Sequence, residues 1–315
     1  MTPEGGATVP STIVMTGASR GIGRVAAERI VRAAPQTHLV VAAREATGAR
    51  LAAELDASGG RVSHVPVDLG VLDSVRSAAE EIRGRLDRGE LPPLRGFVGN
   101  AGIQYTNALT AGPDGLESTF TVNVLANHLF VRLLEDRFRT PGRIVITVSD
   151  THFGDFRHNM GMVPGPAWRS PEVLARPGAF SAPRTTAAGR TAYSTSKLAA
   201  IYLVHEYARR LPDGVDAVGF NPGFVPGTDL ARNAGPVSRF AMRRILPALT
   251  GTPFATSRAA AGRHLADVVL GATAAPTGSY VDRGRVTRSS EESYDPRREA
   301  ELWAAVERLI APYVP

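Results

Sequence analysis

The feature that most constrains this chain is a repeating rhythm: short apolar runs rich in β-branched residues alternate with longer stretches of helical patterning. The strand candidates are Thr12 to Thr16, Thr37 to Ala43, Arg61 to Val67, Leu94 to Gly99, Arg143 to Ser149, Val215 to Phe220 and a short run at Gly278 to Val281. Helical patterning covers Gly21 to Ala34, Glu45 to Ala57, Leu72 to Asp87, Gly115 to Phe138 and Ala192 to Leu211. Parallel strands need a crossover of a dozen residues or more, and a helix supplies it. The rhythm therefore predicts an α/β architecture, a doubly wound parallel sheet of seven strands with helices on both faces.

Residues 1–10 read as a flexible N-terminus and 11–315 as a single domain, long for one but within the range of open α/β sheets. Residues 151–191, rich in proline and glycine, break the rhythm and read as a long insertion. Residues 224–249 read as a lid-like segment, and both irregular stretches are where substrate specificity is expected.

Composition narrows the function classes. No apolar run approaches the length of a bilayer span, and residues 1–10 lack the basic and apolar regions of a signal peptide. The absence of cysteine removes disulfides and thiolate chemistry. A cytoplasmic location is expected, with no membrane partner. The net charge of +6 comes from arginines spread along the chain rather than gathered in a stripe, so no nucleic-acid partner is expected. The seven histidines show no ligand spacing, and no metal site is expected.

The first strand candidate runs straight into Thr16-Gly17-Ala18-Ser19-Arg20-Gly21-Ile22-Gly23, which opens the first helix. Glycines there let the backbone approach a pyrophosphate, and the helix N-terminus presents free N–H groups and a favourable dipole. Such Rossmann-type sites bind dinucleotides. An NAD site normally carries an acidic residue at the end of the second strand, for the ribose 2'-hydroxyl. Here that strand ends in Arg44, which together with Arg20 suits a 2'-phosphate and favours NADP(H).

Lysine occurs once in the chain, at position 197, four residues after Tyr193. That spacing on a helix stacks a phenol and an ammonium on one face, the layout of an activated tyrosine acid/base. Every other basic side chain here is arginine, so a compact, tunable ammonium is singled out at this position.

Taken in order, Thr16 to Gly23, Asp68-Leu69, Asn100-Ala101-Gly102, Asn123, Ser149, Tyr193-x-x-x-Lys197 and Pro222-Gly223 resemble the short-chain dehydrogenase/reductase family over nearly the full length. Within it the chain looks most like the group of retinol dehydrogenases and protochlorophyllide reductases. Ser149-Asp150-Thr151-His152, the helix from Asn123 to Phe130 and Glu301-Leu302-Trp303 carry that likeness. The resemblance implies a catalytic tetrad of Asn123, Ser149, Tyr193 and Lys197. It implies a cofactor site formed by Gly17, Ser19, Arg20, Gly21, Ile22, Gly23, Arg44, Asp68, Leu69, Asn100, Ala101, Gly102, Tyr193, Lys197, Pro222, Gly223, Val225 and Thr228. Three departures mark this chain. Val148 and Asp150 flank Ser149 where the group commonly shows a serine pair, 44 positions separate Ser149 from Tyr193, and one extra residue precedes Thr228.

The implied chemistry is hydride transfer between nicotinamide C4 and a substrate carbon, with Tyr193 exchanging the proton at oxygen. Ser149 would orient the carbonyl, Lys197 would bind ribose hydroxyls and lower the Tyr193 pKa, and Asn123 would anchor a water leading to solvent. The expected protein is an NADP(H)-dependent oxidoreductase for an apolar or polycyclic small-molecule carbonyl or alcohol, with a place in secondary metabolism. Reduction of an activated C=C bond is the alternative, and a non-catalytic NADP-binding sensor or scaffold is the reading from another class. A homo-oligomer is compatible with the sequence. His152, Phe153, Phe156 and Trp168 are candidate pocket residues.

Overall fold

The computed structural model describes residues 10–56, 60–105, 109–159, 161–226, 231–232 and 255–315. Its centre is an eight-stranded sheet built from β1 (Ser11–Thr16), β2 (Thr37–Ala43), β3 (Val62–Pro66), β4 (Leu94–Gly99), β6 (Phe138–Thr147), β7 (Val215–Asn221), β9 (Tyr280–Asp282) and β10 (Arg285–Thr287). The spatial order is β10-β9-β7-β6-β4-β1-β2-β3. All pairings are parallel except β9 with β10, a terminal hairpin. That hairpin adds an eighth strand to the seven expected, because Arg283 and Gly284 both take positive φ and turn the chain back on itself. A separate two-stranded ribbon joins β5 (Gln104–Tyr105) to β8 (Ala231–Arg232).

Helices cover both faces, which is why the central strands are apolar throughout rather than alternating. One face carries α1 (Gly21–Ala33), α2 (Glu45–Leu55) and α9 (Arg258–Val269), with Ala26, Ile30, Leu51 and Leu265 packed on Met15, Leu39, Val41 and Val145. The other carries α3 (Leu72–Asp87), α5 (Ala126–Leu134), α8 (Thr186–Arg210) and α10 (Pro296–Ile310), packed through Val75, Leu129, Ile201 and Leu302 on Val14, Phe97 and Ile144.

Two helices depart from the expected bounds. The stretch expected as one helix from Gly115 to Phe138 begins at Ser118 with a short α4 (Ser118–Phe120). It then passes through a π-helical segment, Thr121–Leu125, before α5. Gly115 instead turns at positive φ, and the Glu117 carboxylate caps α4 by accepting from the Phe120 N–H at 2.7 Å. Helix α8 starts at Thr186, six residues earlier than Ala192, because the Thr185 hydroxyl caps it and the buried Gly189 is carried within the helix rather than breaking it.

The rest of 151–191 is not featureless. It holds a 3₁₀ turn at Asp150–Phe153 and two short helices, α6 (Phe156–Asn159) and α7 (Pro171–Leu174). Leu174, Ala179 and Phe180 from this stretch join the main core.

Strand order reverses between β1 and β4, so the crevice beyond the carboxyl ends of these strands is where this architecture binds ligands. Four segments converge there: the loop after β1, Asn100 after β4, Ser149 after β6 and Asn221 ending β7.

Candidate active site

The glycine-rich loop has the shape an anion needs. Gly17 and Gly21 both take positive φ, a conformation that L side chains rarely adopt. A Cβ on Gly17 would lie 2.6 Å from the Ala101 nitrogen, and one on Gly23 would lie 2.0 Å from the Gly17 carbonyl oxygen. A Cβ on Gly21, by contrast, would meet nothing within 4 Å, so open space lies over the start of α1. That helix begins with neither a side-chain cap nor an acidic residue in its first turn, which leaves its N-terminal dipole available to an anion. Asn100 holds the loop in place: its amide donates to the Gly17 carbonyl at 3.0 Å, while its oxygen accepts from Thr147 at 3.2 Å. Ala101 is tied to Thr16, and Gly102 follows before the buried Ile103.

Arg44 forms the exposed rim of a cleft of about 470 Å³ whose other walls include Val67, Asp68, Ser74 and Ser77. The imidazole of His64 bonds the Ala43 carbonyl at 2.9 Å, pinning the strand end that carries Arg44. Arg20 is exposed at the N-cap of α1, with Ser19 and Ile22 half-buried on either side of it. Asp68 accepts from the Gly70 N–H at 2.9 Å and shapes the turn, while Leu69 packs on the core. These residues fit a dinucleotide: a tight glycine turn, an uncapped helix start and two arginines near the place where a 2'-phosphate would project.

At the opposite rim, Pro222 and Gly223 follow β7, and a Cβ on Gly223 would lie 2.9 Å from the Thr256 hydroxyl. Val225 is buried. Thr228 lies outside the described residues. Of the lid-like segment 224–249, only 224–226 and β8 are described.

Ser149, Tyr193 and Lys197 come together at the carboxyl end of β6. Tyr193 and Lys197 lie one turn apart on α8, both buried, with the ammonium 5.6 Å from the phenol ring centroid. The ammonium donates to the Thr147 carbonyl at 2.8 Å, and burial pulls its pKa down to about 8. Burial also pushes the Tyr193 phenol well above its ordinary value; the hydrogen-bonded Ser149 hydroxyl pulls it back, and the Asp150 carboxylate pushes it further up. Desolvation thus outweighs the stabilisation that the Ser149 bond gives the phenolate.

Asn123 sits within the π-helical segment, a deviation that recurs at functional sites. Its amide grips both backbone groups of Ile103, accepting from the N–H at 2.9 Å and donating to the carbonyl at 3.0 Å, and it donates to Ser196 at 2.9 Å. Ser196 in turn bonds the Tyr193 carbonyl. Asn123 therefore ties the loop after β4 to the turn of α8 between Tyr193 and Lys197.

His152 is an anchor rather than a pocket wall. Its Nε2 accepts from the Ser290 N–H at 3.0 Å, which puts the ring proton on Nδ1, donating to the Ser149 carbonyl at 2.5 Å. Burial lowers its pKa to about 4, so the ring is neutral. Phe153 and Trp168 pack on the core, Trp168 edge-on to Tyr202 at 4.9 Å. Phe156 alone of the three is exposed. In the sequence Asp150 stands out as part of the Ser149-to-His152 likeness and as a departure, without a role, and Asn221 does not stand out at all. The Asn221 oxygen accepts from the Asp150 N–H at 3.2 Å and its amide donates to Asp282 at 2.9 Å. An asparagine just before Pro222-Gly223 was the one available signal.

Comparisons with known proteins identify the family. Residues 11–160 match the family model for short chain dehydrogenases. A Streptomyces sp. (strain C5) protein assigned as a daunorubicin C-13 ketoreductase is 31% identical over 96% of this chain and 93% of its own. Protochlorophyllide reductase A of Triticum aestivum is 29% identical over 98% of this chain and 82% of its own, in keeping with the expected subgroup. Among solved structures, the NADP-bound angucycline C-6 ketoreductase LanV superposes with a TM-score of 0.61 at 21% identity, covering 87% of this chain and 94% of its own. The NADPH-bound carbonyl reductase from chicken fatty liver superposes at 0.60 with 17% identity, covering 89% and 98%. Those two likenesses concern the fold. With the near full-length match to a relative above 30% identity, the chain belongs to the short chain dehydrogenase family, whose members are nicotinamide-dependent oxidoreductases.

Proposed function

We propose that this protein is an NADP(H)-dependent carbonyl reductase for an apolar or polycyclic small molecule, with Tyr193 as proton donor. The observation that carries the reading is the cluster of half-buried Ser149 with buried Tyr193 and Lys197, beside a glycine loop braced by Asn100. A bound nicotinamide dinucleotide would supply the hydride. Gly17, Ser19, Gly21, Ile22 and Gly23 would hold its pyrophosphate, Arg20 and Arg44 its 2'-phosphate, and Asp68 with Leu69 its adenine end. Asn100, Ala101 and Gly102 would floor the site, and Pro222, Gly223, Val225 and Thr228 would close the nicotinamide side.

Ser149 donates a hydrogen bond to the substrate carbonyl oxygen and orients it, and Tyr193 delivers its proton to that oxygen as charge develops there. The raised pKa of the phenol favours the protonated form, which is the form reduction needs. Lys197 holds the cofactor ribose and, as an ammonium, steadies the phenolate left behind. Asn123 keeps the α8 turn between the two in register through Ser196.

The similarity to a ketoreductase of a polycyclic natural product supports the substrate class and a place in secondary metabolism. The comparable match to protochlorophyllide reductases favours a second reading, reduction of an activated C=C bond by the same tyrosine. NADPH oxidation by wild type and Tyr193→Phe against ketone, quinone and enone panels tests both readings. Loss of turnover with NADPH binding retained is the expected result. Undiminished turnover in the phenylalanine variant would overturn the assignment.

A further inference from the structure

Asp150 is the residue in this site that the family resemblance leaves unassigned. It follows Ser149 directly, and its carboxylate lies 3.4 Å from the Ser149 hydroxyl that hydrogen-bonds Tyr193. It is not a surface acid. Its backbone N–H is fastened to the Asn221 oxygen at 3.2 Å, and the Asn221 amide holds Asp282 at 2.9 Å, so Asn221 ties the Asp150 backbone to a second carboxylate, on β9. Arg283 pairs with Asp282 at 3.1 Å on the outer side, Tyr280 is buried alongside, and His158 faces the group from α6. The row Asp282–Asn221–Asp150–Ser149–Tyr193 thus runs from the last strand pair of the sheet to the phenol.

We propose that Asp150 is a positioning residue of this centre: its carboxylate competes for the Ser149 proton and keeps the Tyr193 phenol protonated, while the Asp282 carboxylate on β9 opposes the charge on Asp150 through space. The proposal rests on the reading of Tyr193 as proton donor. Its physics is the repulsion of two like charges. Forming a phenolate beside an ionised carboxylate is unfavourable, so Asp150 keeps the tyrosine in its protonated state to higher pH. Burial, then the Asp282 charge, lift Asp150 to about 6, with His158, Arg283 and the Ser149 bond opposing. The effect is accordingly present at neutral pH and is lost in mild acid.

The test is a pair of pH profiles of kcat/KM, for ketone reduction and alcohol oxidation, with Asp150→Asn and Asp282→Asn. Asp150→Asn moves the alkaline limb of reduction down by about one pH unit, a tenfold loss of rate beyond that limb, as expected of one neighbouring charge. In wild type, the oxidation profile flattens near about pH 6, where Asp150 titrates, and then resumes its slope. That step vanishes in Asp150→Asn. In Asp282→Asn it moves to lower pH while the alkaline limb stays in place, and this variant carries the test alone if Asp150→Asn does not fold. A lowered kcat with unmoved limbs in Asp150→Asn would make Asp150 merely structural and overturn the inference. An ultraviolet difference titration of phenolate, with Tyr193→Phe subtracted to isolate Tyr193, reads the same charge coupling without turnover. If Tyr193→Phe proves fully active, the proton-donor reading fails, while this titration still decides whether Asp150 sets the ionisation of Tyr193.

Discussion

Replacing Lys197 by methionine should inactivate the protein while leaving it slightly more stable near neutral pH. Methionine matches the length of the stem and removes the charge. Burial lowers the ammonium from its ordinary 10.5 to about 8, and at about 1.4 kcal/mol per unit that is a penalty of about 3 kcal/mol near neutral pH. The bond to the Thr147 carbonyl at 2.8 Å offsets part of it. Losing that bond leaves a buried carbonyl unpaired, at a cost of about 2 kcal/mol. The net effect near pH 7 is a gain of about 1 kcal/mol, or about 2 °C in Tm for a chain of this size.

The sign depends on pH. Between about 8 and 10.5 the unfolded chain binds the proton that the folded one releases, so wild-type stability rises through that window. Near about pH 10 the neutral lysine keeps its bond without most of the burial penalty, and methionine becomes the less stable variant by about 1 kcal/mol. Urea unfolding at the two pH values should therefore show the order of the midpoints reversing. A methionine variant less stable at both would mean that the ammonium is a structural ion, and the reasoning would fail. Lys197→Arg keeps the charge but cannot fit its planar fork into the same buried space, so most of the activity should be lost there too.

Three further outcomes can be checked directly. Gly23→Ala places a methyl 2.0 Å from the Gly17 carbonyl, so a stability loss of about 1–3 kcal/mol in thermal unfolding should accompany a loss of NADPH binding measured by fluorescence. Arg44→Ala should weaken NADPH by about 10- to 100-fold, the worth of a charge-assisted contact, and leave NADH affinity unchanged; equal losses for both cofactors would remove Arg44 from the 2'-phosphate site. His152→Ala gives up bonds to the Ser149 carbonyl and the Ser290 N–H, with an expected loss of about 2–4 kcal/mol near neutral pH. Because the folded His152 titrates at about 4 against an ordinary 6.5, wild type loses stability as pH falls through that window, and the alanine variant should show a flatter acid limb.

Where the sequence carried its own physics, it was legible. Strands β2 and β4 and helix α3 have the expected bounds, since each is an apolar run or an amphipathic stretch ended by turn residues. The glycine loop could be read because its backbone conformation excludes other residues. The Tyr193–Lys197 pairing could be read because helical spacing alone places the two on one face. Elements defined by long-range partners were hidden. The terminal strand β10 exists only through its pairing with β9. Helix α9 buries a face of small residues, Ala261 and Gly262, against α1, a weak signal until Val25 is seen beneath Gly262.

The π-helical segment at Asn123 was equally invisible, because nothing local demands it; the grip of that amide on Ile103 and Ser196 goes with it. The chain by itself therefore determined the sheet, the family and the order of the site residues, all matters of local pattern and spacing. The tertiary structure decided the charges: that Lys197 is buried against the Thr147 carbonyl, that burial pushes the Tyr193 phenol toward keeping its proton, and that Asn221 ties the Asp150 backbone to Asp282. Ionisation depends on burial and on neighbours distant in sequence, and those are properties of the packed molecule alone.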